Sequence, residues 1–326
     1  MITITGAAGF IGSNLVHALN KAGRTDILCV DDLTDGRKCA NLGGAQFLDL
    51  RHWKTMGAKD YGSAGDVVVH LGANSSTQQS DGEEALFANY HATTALYERI
   101  LTGVKFIYAS SASVYGVHGQ RAEDFSEIPE NERPVSPYAF SKWMLDKYMR
   151  REMQVARRMR NNPSIGLRFF NVYGPGEQHK GEMASFAHKL ISQYQATGGP
   201  ATCSFVGGRE WSRLGRRNFV YIDDVVKVIM WAINNDVTPG IYNVGSAKSH
   251  SFVDVADIVG SFARINNLGP LQGGPDKALP VAYQRLTFAP LDRLRAAGYT
   301  DEFLTLEEGL LEFWNTMLPS RRCEKT

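Results

Sequence analysis

Tyr138 and Lys142 form a pair whose residue types and spacing suit acid–base chemistry. Ser136 is a favoured helix N-cap and Pro137 fits the first helical position, so the segment predicts a helix start. A spacing of four places the phenol and the ammonium on one helix face. A free tyrosine has a pKa of about 10, and lowering it to about 7 requires roughly 4 kcal/mol. A lysine cation supplies part of this, and a nicotinamide cation would supply more, so the pair raises the question of a dinucleotide site. On its own, the same spacing equally fits a surface tyrosine beside a lysine.

The bulk composition describes an ordinary soluble globular chain. Its 326 residues suffice for one large domain or two closely joined ones, and 43% are hydrophobic. Lys plus Arg total 35 and Asp plus Glu 34, which gives no reason to expect nucleic acid or a membrane as partner. The cysteines show no C-x-x-C spacing, so reduced thiols in a cytoplasmic protein are expected; they are Cys29, Cys39, Cys203 and Cys323. The first residues, Ile2–Thr5, read as a strand rather than a signal peptide.

Short β-rich runs alternate with helical segments in the first half of the chain. The strand-like runs are Ile2–Thr5, Ile27–Val30, Asp66–Leu71, Val104–Ala109 and Ser164–Phe170, and the helical ones include Phe10–Lys21, Glu83–Leu101 and Tyr138–Arg160. This alternation predicts an α/β fold, a Rossmann-type doubly wound parallel sheet. We expect a dinucleotide domain from residues 1–172 and 218–245, and a smaller substrate domain from 173–217 and 246–326. Residues 207–217 predict an exposed basic loop, and Asn218–Asp224 a further strand.

Gly6, Gly9 and Gly12 follow the first strand and open the first helix. Such glycines permit a tight turn, approach to a pyrophosphate and close helix–sheet packing, while the helix N-terminus favours phosphate. Asp31 and Asp32 end the second strand, where an acid usually binds the adenosine ribose of NAD. Arg37 and Lys38 follow closely and could hold the 2′-phosphate of NADP, so the pattern leaves the choice of cofactor open.

Two later strand ends carry further candidate residues. Small residues in the run Leu71-Gly72-Ala73 would let a cofactor lie against the sheet edge, and Asn89 on the next helix could anchor that loop or the cofactor. Ser111 ends another strand, at the edge where open α/β sheets place their chemistry. Its hydroxyl could hydrogen-bond a substrate beside Tyr138.

Together, the glycine turn, the strand-end serine and the Tyr138/Lys142 pair resemble the extended short-chain dehydrogenase/reductase family over nearly the whole chain. Within it the sequence is most similar to the ADP-heptose 6-epimerases. The stretches that carry this similarity are Arg168–Pro175, Gly176–Ser185, Pro275–Lys277 with Tyr283 and Gln284, and Leu294–Tyr299. The His-Lys-Gly-x-Met-Ala-Ser segment is far more specific than the glycine motif.

The resemblance implies an NADP-dependent nucleotide-sugar epimerase that inverts C6 of ADP-heptose for lipopolysaccharide, and we expect a homo-oligomer. No metal site is expected, because His179 and His188 have no evident third ligand in the sequence. It implies Tyr138 and Lys180 as the two acid–base residues. The implied cofactor set is Gly6, Gly9, Phe10, Ile11, Gly12, Asp31, Asp32, Lys38, Lys54, Leu71, Gly72, Ala73, Asn74, Ser75, Asn89, Tyr138, Lys142 and Val172. The implied substrate set is Ser111, Asn171, Lys180, Glu182, Lys189, Phe205, Val206, Gly207, Gly208, Arg217 and Tyr283.

Two features depart from the family pattern, and other functions stay open. Residues 209–216 are longer and more basic than expected, and Lys189 stands where a substrate-facing histidine is expected. A dehydratase would carry an Asp-Glu pair after the strand-end serine, where Ala112 and Ser113 stand instead. The alternatives are another nucleotide-sugar 4-epimerase or reductase, and a non-catalytic dinucleotide-binding protein.

Overall fold

The computed structural model describes residues 1–76, 81–156, 162–275, 278 and 284–318. Its main sheet contains β1 (Ile2–Thr5), β2 (Ile27–Asp31), β3 (Asp49–His52), β4 (Val67–His70), β5 (Lys105–Ser111), β6 (Ser164–Phe169) and β10 (Gly240–Val244). The shorter strands are β7 (Asn171–Tyr173), β8 (Thr202–Cys203), β9 (Arg217–Tyr221), β11 (Ser249–His250) and β12 (Gln272–Gly273).

The helices fall between these strands. They are α1 (Phe10–Lys21), α2 (Gly82–Leu86), α3 (Ala92–Arg99), α4 (Pro137–Ala156), α5 (Phe186–Thr197), α6 (Gly208–Leu214), α7 (Ile222–Asn234), α8 (Phe252–Ile265), α9 (Asp292–Ala296) and α10 (Leu306–Met317). Within the described ranges, no helix is long and apolar enough to cross a membrane.

The seven-stranded sheet has the order β10-β6-β5-β4-β1-β2-β3, and all its neighbouring strands are parallel. Chain order reverses between β1 and β4, and such a switch point forms a crevice at the carboxyl ends of the strands. The predicted Rossmann-type α/β fold is therefore confirmed. The edge strand β3 was not among the predicted strands.

Alternate residues of the strands pack on opposite faces of the sheet. Ile107 joins a core with α1 and α7, whereas its neighbours Phe106 and Tyr108 join a second core with α3 and α4. Successive strand side chains point to opposite faces, so continuous apolar runs are expected where both faces are covered. The helix that carries the Tyr138/Lys142 pair is thereby seated directly on β5.

Three predicted elements differ from the observed ones. Residues 208–214 form helix α6 rather than an exposed basic loop, and Arg217, in β9, is buried. Asp223 and Asp224 do not extend a strand but occupy the first turn of α7, where acidic side chains suit the helix dipole. The helix predicted over 83–101 is interrupted by a π-helical turn at Phe87–His91 and ends at Arg99.

Candidate active site

Tyr138 lies in the first turn of α4, beside the carboxyl end of β5. The predicted cap is confirmed: the Ala139 amide donates to Ser136 Oγ at 3.2 Å, and Pro137 is the first helical residue. Burial raises the pKa of the Tyr138 phenol, and a hydrogen bond with the Ser111 side chain opposes that rise. The structure thus brings Tyr138 and Ser111 together, as the sequence predicts, and leaves the phenol protonated without further positive charge.

Lys142 lies one turn further along α4 and is almost fully buried. Its Nζ donates to the Ala109 carbonyl of β5 at 2.9 Å. Burial lowers the pKa of this ammonium to about 8, and the Asp146 carboxylate acts in the opposite direction. The ammonium is therefore held in place against the strand that also carries Ser111.

The glycine turn packs as closely as its sequence predicts. Gly6 has a φ of +69°, and a Cβ on Gly12 would lie 2.1 Å from the Gly6 carbonyl oxygen. A Cβ on Gly6 itself would lie 2.7 Å from the Gly72 amide nitrogen. The turn between β1 and α1 therefore packs closely on α1 and on the loop after β4, as glycine permits, and the N-terminus of α1 suits a diphosphate.

Asp31 occupies the end of β2 but already has partners within the protein. Its carboxylate accepts from the Ala8 amide at 2.7 Å and from Lys38 Nζ at 3.0 Å. Asp32 is more exposed, accepts from the Thr34 amide at 2.9 Å and lies 3.7 Å from His52 Nε2. Asp31 therefore ties the glycine turn to Lys38, while Asp32 faces the surface at the expected adenosine end.

Lys54 follows β3 and lies in the same part of the molecule. Its amide donates to His52 Nδ1 at 3.1 Å, and its Nζ lies 5.3 Å from the centre of the Trp53 ring. Arg37 instead pairs with Asp35 at the surface. The structure thus places Lys38 and Lys54 on the two segments that flank the end of β2.

Asn89 is fully buried in the π-helical turn and holds the loop that follows β4. It accepts from the Asn74 amide at 2.8 Å and donates to the Asn74 carbonyl at 3.0 Å. Its Nδ2 also donates to Ser141 Oγ of α4 at 3.0 Å. The sequence allowed Asn89 to anchor either the loop or the cofactor. The hydrogen bonds show that it anchors the loop, because they join Asn74 to Ser141 of α4. Single π turns often mark functional sites.

Lys180 lies in a 3-10 segment, Gln178–Met183, that contains Gly181 at a φ of +53°. Its Nζ donates to Glu177 Oε2 at 2.9 Å and lies 4.9 Å from the centre of the Phe10 ring. Within the described residues it makes no hydrogen bond to Tyr138. Lys180 is therefore held at the glycine turn by a carboxylate, facing the cofactor side of the crevice.

Glu177 is fully buried and fixes both ends of this segment. It accepts from the Gly174 amide at 3.4 Å and from the amide and hydroxyl of Ser185 at 2.8 and 2.6 Å. Ser185 in turn caps α5. Glu177 was not predicted as a site residue, because nothing in the surrounding glycines and proline indicates that an acid there is buried.

A cavity of about 520 Å³ adjoins this segment and gathers four of the predicted substrate residues. They are Glu182, Lys189, Phe205 and Val206; Gly207 and Gly208 follow directly at the start of α6. Phe186 and Phe252, which the sequence analysis missed, form an edge-to-face pair in its wall with centroids 5.4 Å apart. Lys189 Nζ lies 3.3 Å from Glu182 Oε2.

Three further predicted residues, Asn171, Val172 and Arg217, lie in the neighbouring β7–β9 pair. Asn171 and Val172 are in β7, which runs parallel to β9. The Arg217 guanidinium lies 5.9 Å from the centre of the Phe252 ring, which lines the cavity. Tyr283 lies outside the described residues.

A model of the NAD dependent epimerase/dehydratase family matches residues 2–245, three quarters of the chain. Among solved structures, Helicobacter pylori ADP-L-glycero-D-manno-heptose-6-epimerase is 25% identical with a TM-score of 0.76, over 98% of this chain and 96% of that one. TunA, an NAD dependent NDP-hexosamine 5,6-dehydratase, is 26% identical with a TM-score of 0.75, over 97% of both chains.

A third solved structure shares the fold at lower identity. UDP-glucuronic acid 4-epimerase from Bacillus cereus, in complex with UDP-glucuronic acid and NAD, is 23% identical with a TM-score of 0.75. The alignment covers 97% of this chain and 98% of that one. Epimerases and a dehydratase thus share one architecture, and specific side chains must separate their activities.

Proposed function

Because the chain belongs to the NAD dependent epimerase/dehydratase family, we propose that it inverts one carbon of a nucleotide-sugar by transient oxidation. The finer proposal is that the substrate is ADP-D-glycero-D-manno-heptose and the product its L-glycero epimer at C6. The proposal is supported by the Tyr138, Lys142 and Ser111 constellation at the end of β5, together with a second cation, Lys180, at the glycine turn.

The residues present fit a dinucleotide. A Cβ at Gly6 or Gly12 would overlap backbone. The turn between β1 and α1, where the diphosphate would bind, therefore needs glycine at both positions. Asp32, Lys38 and Lys54 would hold the adenosine end, and Lys142 the nicotinamide ribose. When bound, the nicotinamide accepts a hydride from the substrate carbon and returns it.

We propose NADP as the cofactor, with NAD as the alternative. Lys38 and Lys54 flank the end of β2 and would supply positive charge to a 2′-phosphate, whereas Asp31 and Asp32 oppose it. The mass of the cofactor released by denaturing purified protein distinguishes the two, since a 2′-phosphate is present in only one.

The Tyr138 side of the site would handle the substrate hydroxyl in one of the two half-reactions. As phenolate, Tyr138 would take the proton from the hydroxyl of one epimer while the carbon loses its hydride, and in the reverse reaction it would return that proton. The Lys142 ammonium stabilises the phenolate. Ser111 would orient the same oxygen by a hydrogen bond.

Where reorientation of the ketone moves its oxygen away from Tyr138, a second group must supply the proton when the hydride returns on the other face. Lys180 is the proposed second group, since its ammonium lies at the glycine turn, 4.9 Å from the centre of the Phe10 ring. For this role it must leave Glu177 once substrate enters. A simple reductase would need only one proton carrier.

The cavity at Phe186 and Phe252 would take the nucleotide. Its aromatic wall suits a base, because aromatic rings stack on bases of any identity. Lys189 and Arg217 would pair with the diphosphate, as cations do at such groups.

The test is to incubate purified protein, without added cofactor, with either C6 epimer of ADP-heptose. Interconversion of the two supports the proposal. Conversion of UDP-glucose to UDP-galactose would instead establish a 4-epimerase; the B. cereus neighbour is a 4-epimerase in complex with another UDP-sugar, UDP-glucuronic acid. Binding of NADP without either conversion would favour a non-catalytic dinucleotide-binding protein.

A further inference from the structure

A buried charged network lies directly beneath the Tyr138/Lys142 pair. Asp146 follows Lys142 by one more helical turn on the same face of α4 and has no exposed side-chain surface. Its carboxylate accepts hydrogen bonds from Arg168 of β6, at 2.9 Å from Nε and 2.7 Å from Nη2. It also accepts hydrogen bonds from two hydroxyls of β5, Ser110 at 2.9 Å and Tyr108 at 3.1 Å. One carboxylate therefore joins the catalytic helix to both strands beside it.

The network continues away from the site through Glu132. Arg168 also donates a hydrogen bond to Glu132, which is equally buried. Glu132 accepts a further hydrogen bond from Arg150 Nη1 at 2.9 Å. The Arg168 guanidinium lies 4.9 Å from the centre of the Tyr115 ring. Two carboxylates and two guanidinium groups balance within the network, and Asp146 is the acid of the two that lies one helical turn from Lys142.

Burying charges costs free energy that packing of similar apolar side chains avoids. Stability alone therefore gives no reason to place four charged groups beneath a catalytic helix. Lys142 is the buried cation nearest to Asp146 along the helix. Asp146 acts on it electrostatically, in the direction that favours the ammonium.

We propose that Asp146 is a positioning residue of the proposed hydride-transfer site: its carboxylate places a fixed negative charge one helical turn from Lys142 and holds α4 against β5 and β6. The proposal rests on the proposed function for its consequence, since only a charged Lys142 stabilises the Tyr138 phenolate. The carboxylate itself undergoes no chemistry, because its side chain has no exposed surface.

The other titratable groups around Lys142 cannot supply this charge. His70 on β4 is neutral, because burial lowers its pKa to about 3, with the Lys142 cation adding to the effect. Tyr108 on β5 is also neutral, since burial and the Asp146 charge raise its pKa. Arg168 on β6 is a cation, and Tyr138 on α4 has a raised pKa as well.

The experiment follows the titration of Lys142 directly by NMR of protein that carries ¹³C at the ε carbon of lysine. The Lys142→Met spectrum assigns the signal. This readout needs no substrate, so its failure is distinct from a failure of the proposed activity. Asp146→Asn is expected to lower the Lys142 midpoint by about one pKa unit, since a close opposite charge shifts a pKa by about 1–3 units.

Glu132→Gln is the matched control, because it also neutralises a buried acid of the network and leaves Arg168 with one carboxylate. It is expected to lower the melting temperature comparably while the Lys142 midpoint stays in place. Asp146→Glu, which keeps the charge, should retain most of the wild-type midpoint. Equal midpoints in wild type and Asp146→Asn, or equal shifts in Asp146→Asn and Glu132→Gln, would overturn the proposal.

A second variant covers the case in which Asp146→Asn does not fold. Asp146→Leu combined with Arg168→Met removes one anion and one cation together, an exchange that proteins often tolerate. It leaves the Glu132–Arg150 pair intact. The Lys142 midpoint should fall in this variant also, and an unchanged midpoint would contradict the proposal.

Discussion

Tyr138 and Lys180 lie on different elements, α4 and the 3-10 segment Gln178–Met183, and the protein holds their side chains by different means. The Tyr138 side is built from α4, β5 and β6, whose registers and buried charges fix one arrangement. The Lys180 side is a short 3-10 segment whose ends meet at Glu177. Secondary structure makes the Tyr138 side rigid, whereas a single carboxylate holds the Lys180 side. We therefore expect the Lys180 side to rearrange when substrate binds.

The largest effect is expected from Tyr138→Phe, which removes the acid–base hydroxyl from the rigid side. Turnover should fall about 10³-fold, within the usual contribution of general acid–base groups. Cofactor should stay bound, which the absorbance of the purified protein measures. Tyr148→Phe is the control, because that tyrosine lies on the same helix and its hydroxyl contacts Glu98 at the surface. Unimpaired turnover in Tyr138→Phe would remove it from the mechanism.

Lys180→Met tests the proposed proton carrier on the 3-10 segment Gln178–Met183. We expect about a 10²-fold loss of turnover with cofactor retained. Lys227→Met is a matched control, since Lys227 also pairs with a buried acid three residues earlier in the chain. If Lys180→Met lost its cofactor and regained turnover at high cofactor concentration, Lys180 would be a cofactor ligand and the two-sided scheme would fail.

The pH dependence tests the charge of Lys142 on the rigid side. Lys142 is protonated below its pKa of about 8 and loses its charge as the pH rises through that value. Above pH 8 the phenolate loses its neighbouring cation, so kcat/KM should fall by up to about tenfold per pH unit. A profile that is flat from pH 7 to pH 10 would contradict a charged Lys142 in the reaction.

Glu177→Gln should have a smaller effect, centred on the loop. It weakens four hydrogen bonds at a buried position, so unfolding free energy should drop by about 1–3 kcal/mol. Urea denaturation measures the change. Glu182→Gln, at an exposed acid of the same segment, should leave stability nearly unchanged. Equal stabilities of Glu177→Gln and wild type would show that other contacts hold the loop.

Elements with strong local patterns could be predicted from the sequence. The glycine turn between β1 and α1, and the Ser-Pro start of α4, were confirmed because their backbone demands are local. Helix α6 was missed, since its glycines and arginines are typical of a loop and its helical state depends on tertiary packing. The π turn at Asn89 was likewise invisible, because it forms around buried hydrogen bonds to Asn74 and Ser141.

The candidate site was predictable where spacing carried the signal. Asp146 could have been found by extending the Tyr138–Lys142 spacing by four more residues. Glu177 and Glu132 could not, since charged residues are mostly exposed and only long-range contacts bury them.

The proposed epimerisation oxidises and re-reduces one carbon, with the hydride kept in the site throughout. The most direct measurement uses ADP-D-glycero-D-manno-heptose that carries deuterium at C6, incubated with purified protein in ordinary water and followed by NMR. We predict a mixture of both C6 epimers, each with deuterium still on C6. Loss of the label to solvent during epimerisation, or an unchanged substrate in the presence of protein with bound cofactor, would contradict the claim.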